Sequence, residues 1–178
     1  MKTYIALLRG INVSGQKKIK MAELLEILEK GGLKNVQTYI QSGNIAFDSE
    51  IDSKENLENV IYNIILKHFG FEVPTLVLEK DVIEEILKTN RFEDDGENRL
   101  YFVLLKNPPE DELIKNFNEL RFENEDFHIT DKCVYLFCKK GYGNAKLNNN
   151  LIERKLKVEA TTRNLKTMKK LLEMATKD

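Results

Sequence analysis

Three clusters of polar and charged residues in this sequence could do chemistry. The first is Arg9-Gly10-Ile11-Asn12-Val13-Ser14-Gly15-Gln16-Lys17-Lys18-Ile19-Lys20, between an apolar run and a helical pattern. Its glycines allow close backbone approach, and a helix starting after Lys20 would offer unpaired N–H groups and a favourable dipole to a phosphate or carboxylate. The glycine spacing and the missing terminal Lys-Ser/Thr pair exclude a Walker loop and a dinucleotide fingerprint. An ordinary surface loop is the plain alternative. The second cluster, Thr38-Tyr39-Ile40-Gln41-Ser42-Gly43-Asn44, gathers Tyr39, Gln41, Ser42 and Asn44 around a tight turn. Gly43-Asn44 could equally serve only to supply the positive φ values of that turn. Ser42 has no base visible in the sequence, so a nucleophilic role is not expected.

The third cluster is Thr161-Thr162-Arg163-Asn164, read as lying just ahead of the last helix. Asn164 or Thr162 would make an ordinary N-cap. Arg163 gains nothing from the dipole there, so its position points to an anion or a buried carboxylate. Lys146, beside the glycine-rich Gly141-Tyr142-Gly143-Asn144, could join it. Other constellations are missing. His68 reads as lying on the apolar side of a helix and His128 in an acidic strand, with no ligand spacing among histidines, cysteines and carboxylates, so no metal is expected. Glu93-Asp94-Asp95 and Glu123-Glu125-Asp126 read as solvated faces or linkers rather than acid–base pairs. No cofactor and no catalytic residue can be named.

The elements that must position these residues follow from periodicity. Thr3 to Leu8 is an apolar strand; Met21, Leu24, Leu25 and Leu28 make a helical stripe stopped by Gly31-Gly32. Val36–Ile40 and Ile45–Phe47 form a hairpin. Ser53 caps a helix burying Leu57, Val60, Ile61, Ile64 and Ile65, and a strand over Val73–Leu78 and a third helix complete the first half. After the polar stretch Asn90 to Asn98 the same order recurs. Leu100–Leu105 is a strand, Pro108-Pro109 opens a helix, and Phe127–Thr130 pairs with Cys133–Cys138. A helix around Leu151–Leu156, a short strand over Val158–Thr161 and a final helix with Leu165, Met168 and Leu171 follow. The expected fold is α+β: two ferredoxin-like βαββαβ units related by duplication, each followed by an extra helix. The expected division is residues 1–90, a linker at 91–98, and residues 99–178.

Composition bounds the function. The chain has 178 residues, 42% hydrophobic and 32% charged, and folds without needing disulfides or metals. Cys133 and Cys138 lie five apart in one strand, pointing to opposite faces, and read as reduced core residues. No signal peptide or membrane anchor is expected, and the cytoplasm is the expected compartment. Residues 1–20 hold five Lys/Arg and no acid, residues 132–178 hold twelve against four, and residues 21–131 hold eleven against twenty-five. If the two basic ends meet, they make one basic surface on an acidic body, suited to an anionic partner.

Leu7-Leu8-Arg9-Gly10-Ile11-Asn12-Val13, the helix entry at Lys20-Met21, Thr38 to Asn44 and Ala160 to Asn164 together resemble the hallmark segments of the bacterial family catalogued as domain of unknown function 1697. The resemblance spans nearly the whole chain, with a departure at Ser14-Gly15, where the family is associated with a second glycine. It implies a bacterial cytoplasmic protein of duplicated α+β architecture and brings no activity, substrate or catalytic residue.

The leading functional expectation is a module, with or without an enzymatic step, that binds a small anionic, phosphate- or nucleotide-like ligand. The cleft would be formed by loops of both halves through Arg9, Gly10, Asn12, Lys17, Lys20, Tyr39, Gln41, Ser42, Asn44, Lys146, Thr162, Arg163 and Asn164. One alternative is a single-stranded nucleic-acid binder stacking bases on Tyr101, Tyr135 and Phe137 of an open sheet face, against which a pI near 6.2 counts. The other is a protein–protein interaction module presenting an apolar patch. No membrane partner is expected, and the oligomeric state is not readable.

Overall fold

The unbroken apolar run from Tyr4 to Leu8 within Lys2–Leu8 (β1) lets the strand bury both faces, and all five residues are buried. In the computed structural model, which describes residues 1–176, β1 is followed by Met21–Lys30 (α1), Lys34–Tyr39 (β2), Asn44–Ser49 (β3), Lys54–Phe69 (α2), Thr75–Glu79 (β4) and Lys80–Thr89 (α3). The second series is Leu100–Leu105 (β5), Asp111–Asn118 (α4), Glu125–Ile129 (β6), Cys133–Cys138 (β7), Asn149–Leu156 (α5), Ala160–Asn164 (β8) and Leu165–Ala175 (α6). The chain is α+β, with two similar halves, each holding a four-stranded antiparallel sheet.

The sheets are ordered β2-β3-β1-β4 and β6-β7-β5-β8, with every neighbouring pair antiparallel. The chain divides into two compact units: Met1–Glu85 together with the residues from Lys169 onward, and Ile86–Met168. The division falls inside α3 and α6. In the first unit, Leu24 and Leu28 of α1 and Leu57, Ile61 and Ile65 of α2 pack on Tyr4, Ala6, Leu8, Ile45, Phe47 and Val77. In the second, Phe117 of α4 and Ile152 and Leu156 of α5 cover Val103, Leu105, Val134, Leu136 and Cys138.

The two halves share local devices. Ser53 accepts from the Asn56 N–H ahead of α2, and Asn148 accepts from the Leu151 N–H ahead of α5. Both helices end on a left-handed residue, Gly70 and Lys157. The fifth residue of each helix is a glutamate whose Oε1 accepts a backbone N–H of the last strand of its sheet: Glu58 from Val77 at 3.0 Å, and Glu153 from Ala160 at 2.8 Å. Among the described residues there is no helix long and apolar enough to cross a membrane and no cis peptide.

Several sequence expectations need correction. The strand expected at Val158–Thr161 runs over Ala160–Asn164, so Arg163 lies inside β8. His68 falls in line with Ile61 and Ile65, but in the last turn of α2 it is exposed, its Nε2 2.7 Å from Glu23 Oε1. Glu125, expected to be solvated, is 5% exposed and accepts from the Leu147 N–H at 2.9 Å, which ties the loop before α5 to β6.

The thiols of Cys133 and Cys138 are free and buried. Burial pushes Cys133 well above the ordinary thiol value and Cys138 up to about 11. Neither should react with a thiol reagent at pH 8 until the protein unfolds, which a reagent titration with and without denaturant checks. Since the folded state holds these thiols neutral, stability should fall as pH rises from about 9 toward 11. At Lys157, whose φ is 54°, a side chain occupies a site that favours glycine. Lys157→Gly should raise unfolding stability by up to about 1 kcal/mol in a denaturant titration.

Candidate ligand-binding site

The Arg9–Lys20 segment is built by one side chain. Asn12 Nδ2 donates to the Ile19 carbonyl at 3.0 Å and to the Gln41 carbonyl at 2.8 Å, while its Oδ1 accepts from the Ile19 N–H at 2.8 Å. The segment is thereby folded on itself and fastened to the turn between β2 and β3. Its tip is a miniature hairpin: Asn12 donates its N–H to the Lys17 carbonyl, Gln16 donates to Val13 at 2.9 Å, and Ser14 and Gly15 carry φ of 50° and 73°. Two successive positive φ values define the mirror-image turn suited to strand twist, which accounts for Gly15 without a ligand.

The second cluster docks beside it. Leu8 donates its N–H to the Gly43 carbonyl at 2.9 Å, bringing the turn over the end of β1. A Cβ on Gly43 would stand 2.6 Å from Leu8 Cβ and 2.9 Å from Ile11 Cδ1, and φ there is +85°. Glycine is therefore required by space and by conformation. Asn44 is wholly buried and donates from Nδ2 to the Tyr39 carbonyl and to Ser42 Oγ, both at 2.9 Å. A third loop joins through Lys17, whose Nζ reaches the Glu72 carbonyl at 2.6 Å, and through Arg9, whose N–H donates to Pro74.

Arg9, Gly10, Asn12, Lys17, Lys20, Tyr39, Gln41, Ser42 and Asn44 thus share one end of the first unit's sheet, in different roles. Asn12 and Asn44 act as structural fasteners: the Asn12 amide holds the backbone at Ile19 and Gln41, and the Asn44 amide holds the Tyr39 carbonyl and Ser42 Oγ. Lys17 is likewise engaged. Arg9 is half-buried and Gly10 is exposed, with no atom within 4 Å of where a Cβ would lie. The side chains of Lys18 and Lys20 are exposed and make no ion pair among the described residues. Lys20 is the N-cap of α1 and places no side-chain acceptor on its first N–H groups. Val13 and Ile40 are 58% and 49% exposed on these two loops, and Ile40, though β-branched, has φ of 49°.

The remaining candidates belong to the second unit. Lys146 is exposed. Thr162 Oγ1 donates to Asn149 Oδ1 at 2.8 Å, and Asn149 Nδ2 donates to the Ala160 carbonyl at 3.1 Å, so Thr162 helps hold α5 to β8. Asn164 Oδ1 accepts from the Thr167 N–H at 2.9 Å, capping α6 as expected. Arg163 is 8% exposed and donates from Nη1 to the Thr162 carbonyl at 2.9 Å; burial draws its guanidinium down to about 10, which leaves it charged at neutral pH. It is a buried strand residue rather than a loop contact at a helix start.

The sheet face expected to be open is closed. Leu100, Phe102, Leu104 and Tyr135 are all buried, and the Tyr135 hydroxyl donates to the Ile86 carbonyl at 2.9 Å. Phe137 stacks on Phe92. Tyr101 points to the opposite, helix-covered side and stacks on Tyr142 at 4.7 Å. These three aromatics form no common stacking surface. Among the described residues no group of three His, Cys, Asp or Glu is placed to hold a metal ion.

The sequence reading missed the glutamates that cap backbone. Glu58 was legible, since it falls on the buried side of α2 between Leu57 and Ile61.

Comparison with known proteins gives a consistent result. The family model described as a protein of unknown function, DUF1697, matches residues 1–135, ending before Ala160–Asn164. The structure of a conserved bacterial protein, SP0830 from Streptococcus pneumoniae, is similar at 28% identity over 98% of both chains, with a TM-score of 0.76. Among curated proteins there is no match.

Gly43→Ala should destabilise the first unit by about 2–4 kcal/mol, from left-handed strain plus the collision with Leu8. Thermal or denaturant unfolding checks this, and a change below about 0.5 kcal/mol would contradict the close packing of the turn on β1.

Proposed function

Because the chain belongs to the DUF1697 family, whose description assigns no activity, we propose a function from its own geometry: it is a binding module for a small anionic, phosphate-bearing ligand. The ligand sits in the first unit, where the Arg9–Lys20 loop meets the Tyr39–Asn44 turn. The observation that carries this reading is the Asn12 fastening, which holds Lys18, Ile19 and Lys20 against the turn at Gln41 before any ligand arrives. Cations on a preformed loop lose little conformational freedom on binding. The uncapped first N–H groups of α1 lie next to Lys20 and favour negative charge. The first twenty residues, with no acid among them, keep competing carboxylates of the same segment away. Arg9, Lys18 and Lys20 contact the anion; Tyr39, Gln41 and Ser42 border it.

The architecture fits an older event. The repeated element order, the matching strand orders and the paired glutamates Glu58 and Glu153 favour two ferredoxin-like units derived from one by duplication. The two buried free thiols suit a reducing, cytoplasmic compartment.

Val13 and Ile40, exposed on the same loops, favour a second reading in which this end docks a protein. The test separates the two. Thermal-shift and calorimetric titration with pyrophosphate, sugar phosphates and nucleotides should give saturable binding that weakens with salt. It should be lost in Lys18→Glu/Lys20→Glu and reduced roughly tenfold or more in Arg9→Ala. Absence of binding by the wild type to every phosphate compound, or binding unchanged in these variants, defeats the proposal.

A further inference from the structure

Each antiparallel sheet leaves two edges, and an edge strand presents unpaired N–H and C=O groups to any strand that arrives. Three of the four edges here carry a device that blocks such pairing. On β4 the outward N–H of Val77 is taken by Glu58. On β8 the outward groups are taken by side chains: Glu153 on the Ala160 N–H, Asn149 on the Ala160 carbonyl, and Arg163 on the Thr162 carbonyl. On β2 the register slips between Lys34 and Gln37, and left-handed Asn35 and Ile40 mark its two ends.

β6 has none of these. Its pairing with β7 is regular from Glu125 to Ile129. The Thr130 N–H donates to Cys133, and Asn124 accepts from Lys139, so the residues facing β7 are Asn124, Asp126, His128 and Thr130. Glu125, Phe127 and Ile129 therefore direct both backbone groups away from the sheet. No hydrogen bond to the backbone of these three on that side occurs among the described residues.

We propose that β6 is a homodimer interface, pairing antiparallel with β6 of a second copy about a two-fold axis at Phe127. The occupant follows from the sequence of the strand itself. With Phe127 opposite Phe127, the outward residues fall into register as Glu125 opposite Ile129 in both directions, so all three contribute backbone hydrogen bonds. The same register sets Asp126 opposite His128 twice, once on each side of the axis, an acceptor facing a donor at the close cross-strand spacing. The exposed Asp126, which also meets Lys139 of its own chain at 3.4 Å, and the half-buried His128 become complementary as acceptor and donor on self-pairing, and a two-fold interface requires that self-complementarity. The product is a continuous eight-stranded sheet ordered β8-β5-β7-β6 followed by its mirror order.

Light scattering and sedimentation of the full chain, with amide exchange read residue by residue, test this. The expected result is a concentration-dependent dimer in which the Phe127 and Ile129 amides slow as concentration rises. His128→Asp, which sets carboxylates opposite one another twice, should weaken the dimer roughly tenfold or more, and adding Asp126→Lys should restore it. A wild-type chain that stays monomeric to about 1 mM overturns the proposal. So does a dimer whose Phe127 and Ile129 amides exchange as fast as in the monomer. Circular dichroism of each variant identifies loss of folding, and the wild-type exchange measurement decides the question without any variant.

Discussion

A backbone N–H withdrawn from water must find an acceptor, and in this protein side chains supply many of those acceptors where no neighbouring strand can. Glu58 and Glu153 reach from the helix layer to the outer margin of the last strand in each sheet. Glu125 holds the N–H of Leu147. Leaving such a buried donor unsatisfied costs on the order of 1–3 kcal/mol, comparable to a sizeable fraction of a small domain's net stability. The helices are therefore fixed to their sheets by directional bonds as well as by packing, and their positions along the sheets are specified rather than merely favoured. The same need explains the loop ends. Asn12 serves Ile19, Gln41 and, through its backbone, Lys17, so a segment with five left-handed residues still has one conformation.

That economy assigns the polar residues near the end of β1 to two groups. Asn12, Asn44 and Gly43 make the scaffold, Arg9 is half-buried beside it, and Lys18 and Lys20 are exposed on it. The loops at this end are held by short amides, Asn12 and the buried Asn44, rather than by long flexible side chains. In the second unit Asn149 of α5 and Thr162 of β8 serve to join the helix to the strand, in which Ala160, Thr161 and Arg163 are buried.

Much of the fold was legible in the sequence. The helical stripes of α1 and α2, the N-caps at Ser53 and Asn164, the hairpin across Asp131-Lys132 and the recurrence of element order all rest on local patterns. What failed was partner identity. Asn12 and Asn44 look like free amides in a loop because their partners, Ile19, Gln41 and Tyr39, are fixed by tertiary structure. Arg163 was misplaced because Thr161-Thr162-Arg163-Asn164 lacks the apolar alternation of a strand; its β-branched threonines were the available signal. Tyr101 and Tyr135 were placed on one face although their positions in adjacent strands put them on opposite sides: Tyr101 pairs with Leu136, one residue beyond Tyr135.

The division of the chain also bears on how it is made. The first unit takes its initial stretch from Met1–Glu85 and the rest from Lys169 onward, with the whole of Ile86–Met168 between them. The early stretch already holds the residues of its own core, from Tyr4 to Val77, and the remaining piece is made only after 83 intervening residues. The second unit is contiguous and can complete itself first. The unit that is begun first is therefore also the one whose last piece is made at the end of synthesis.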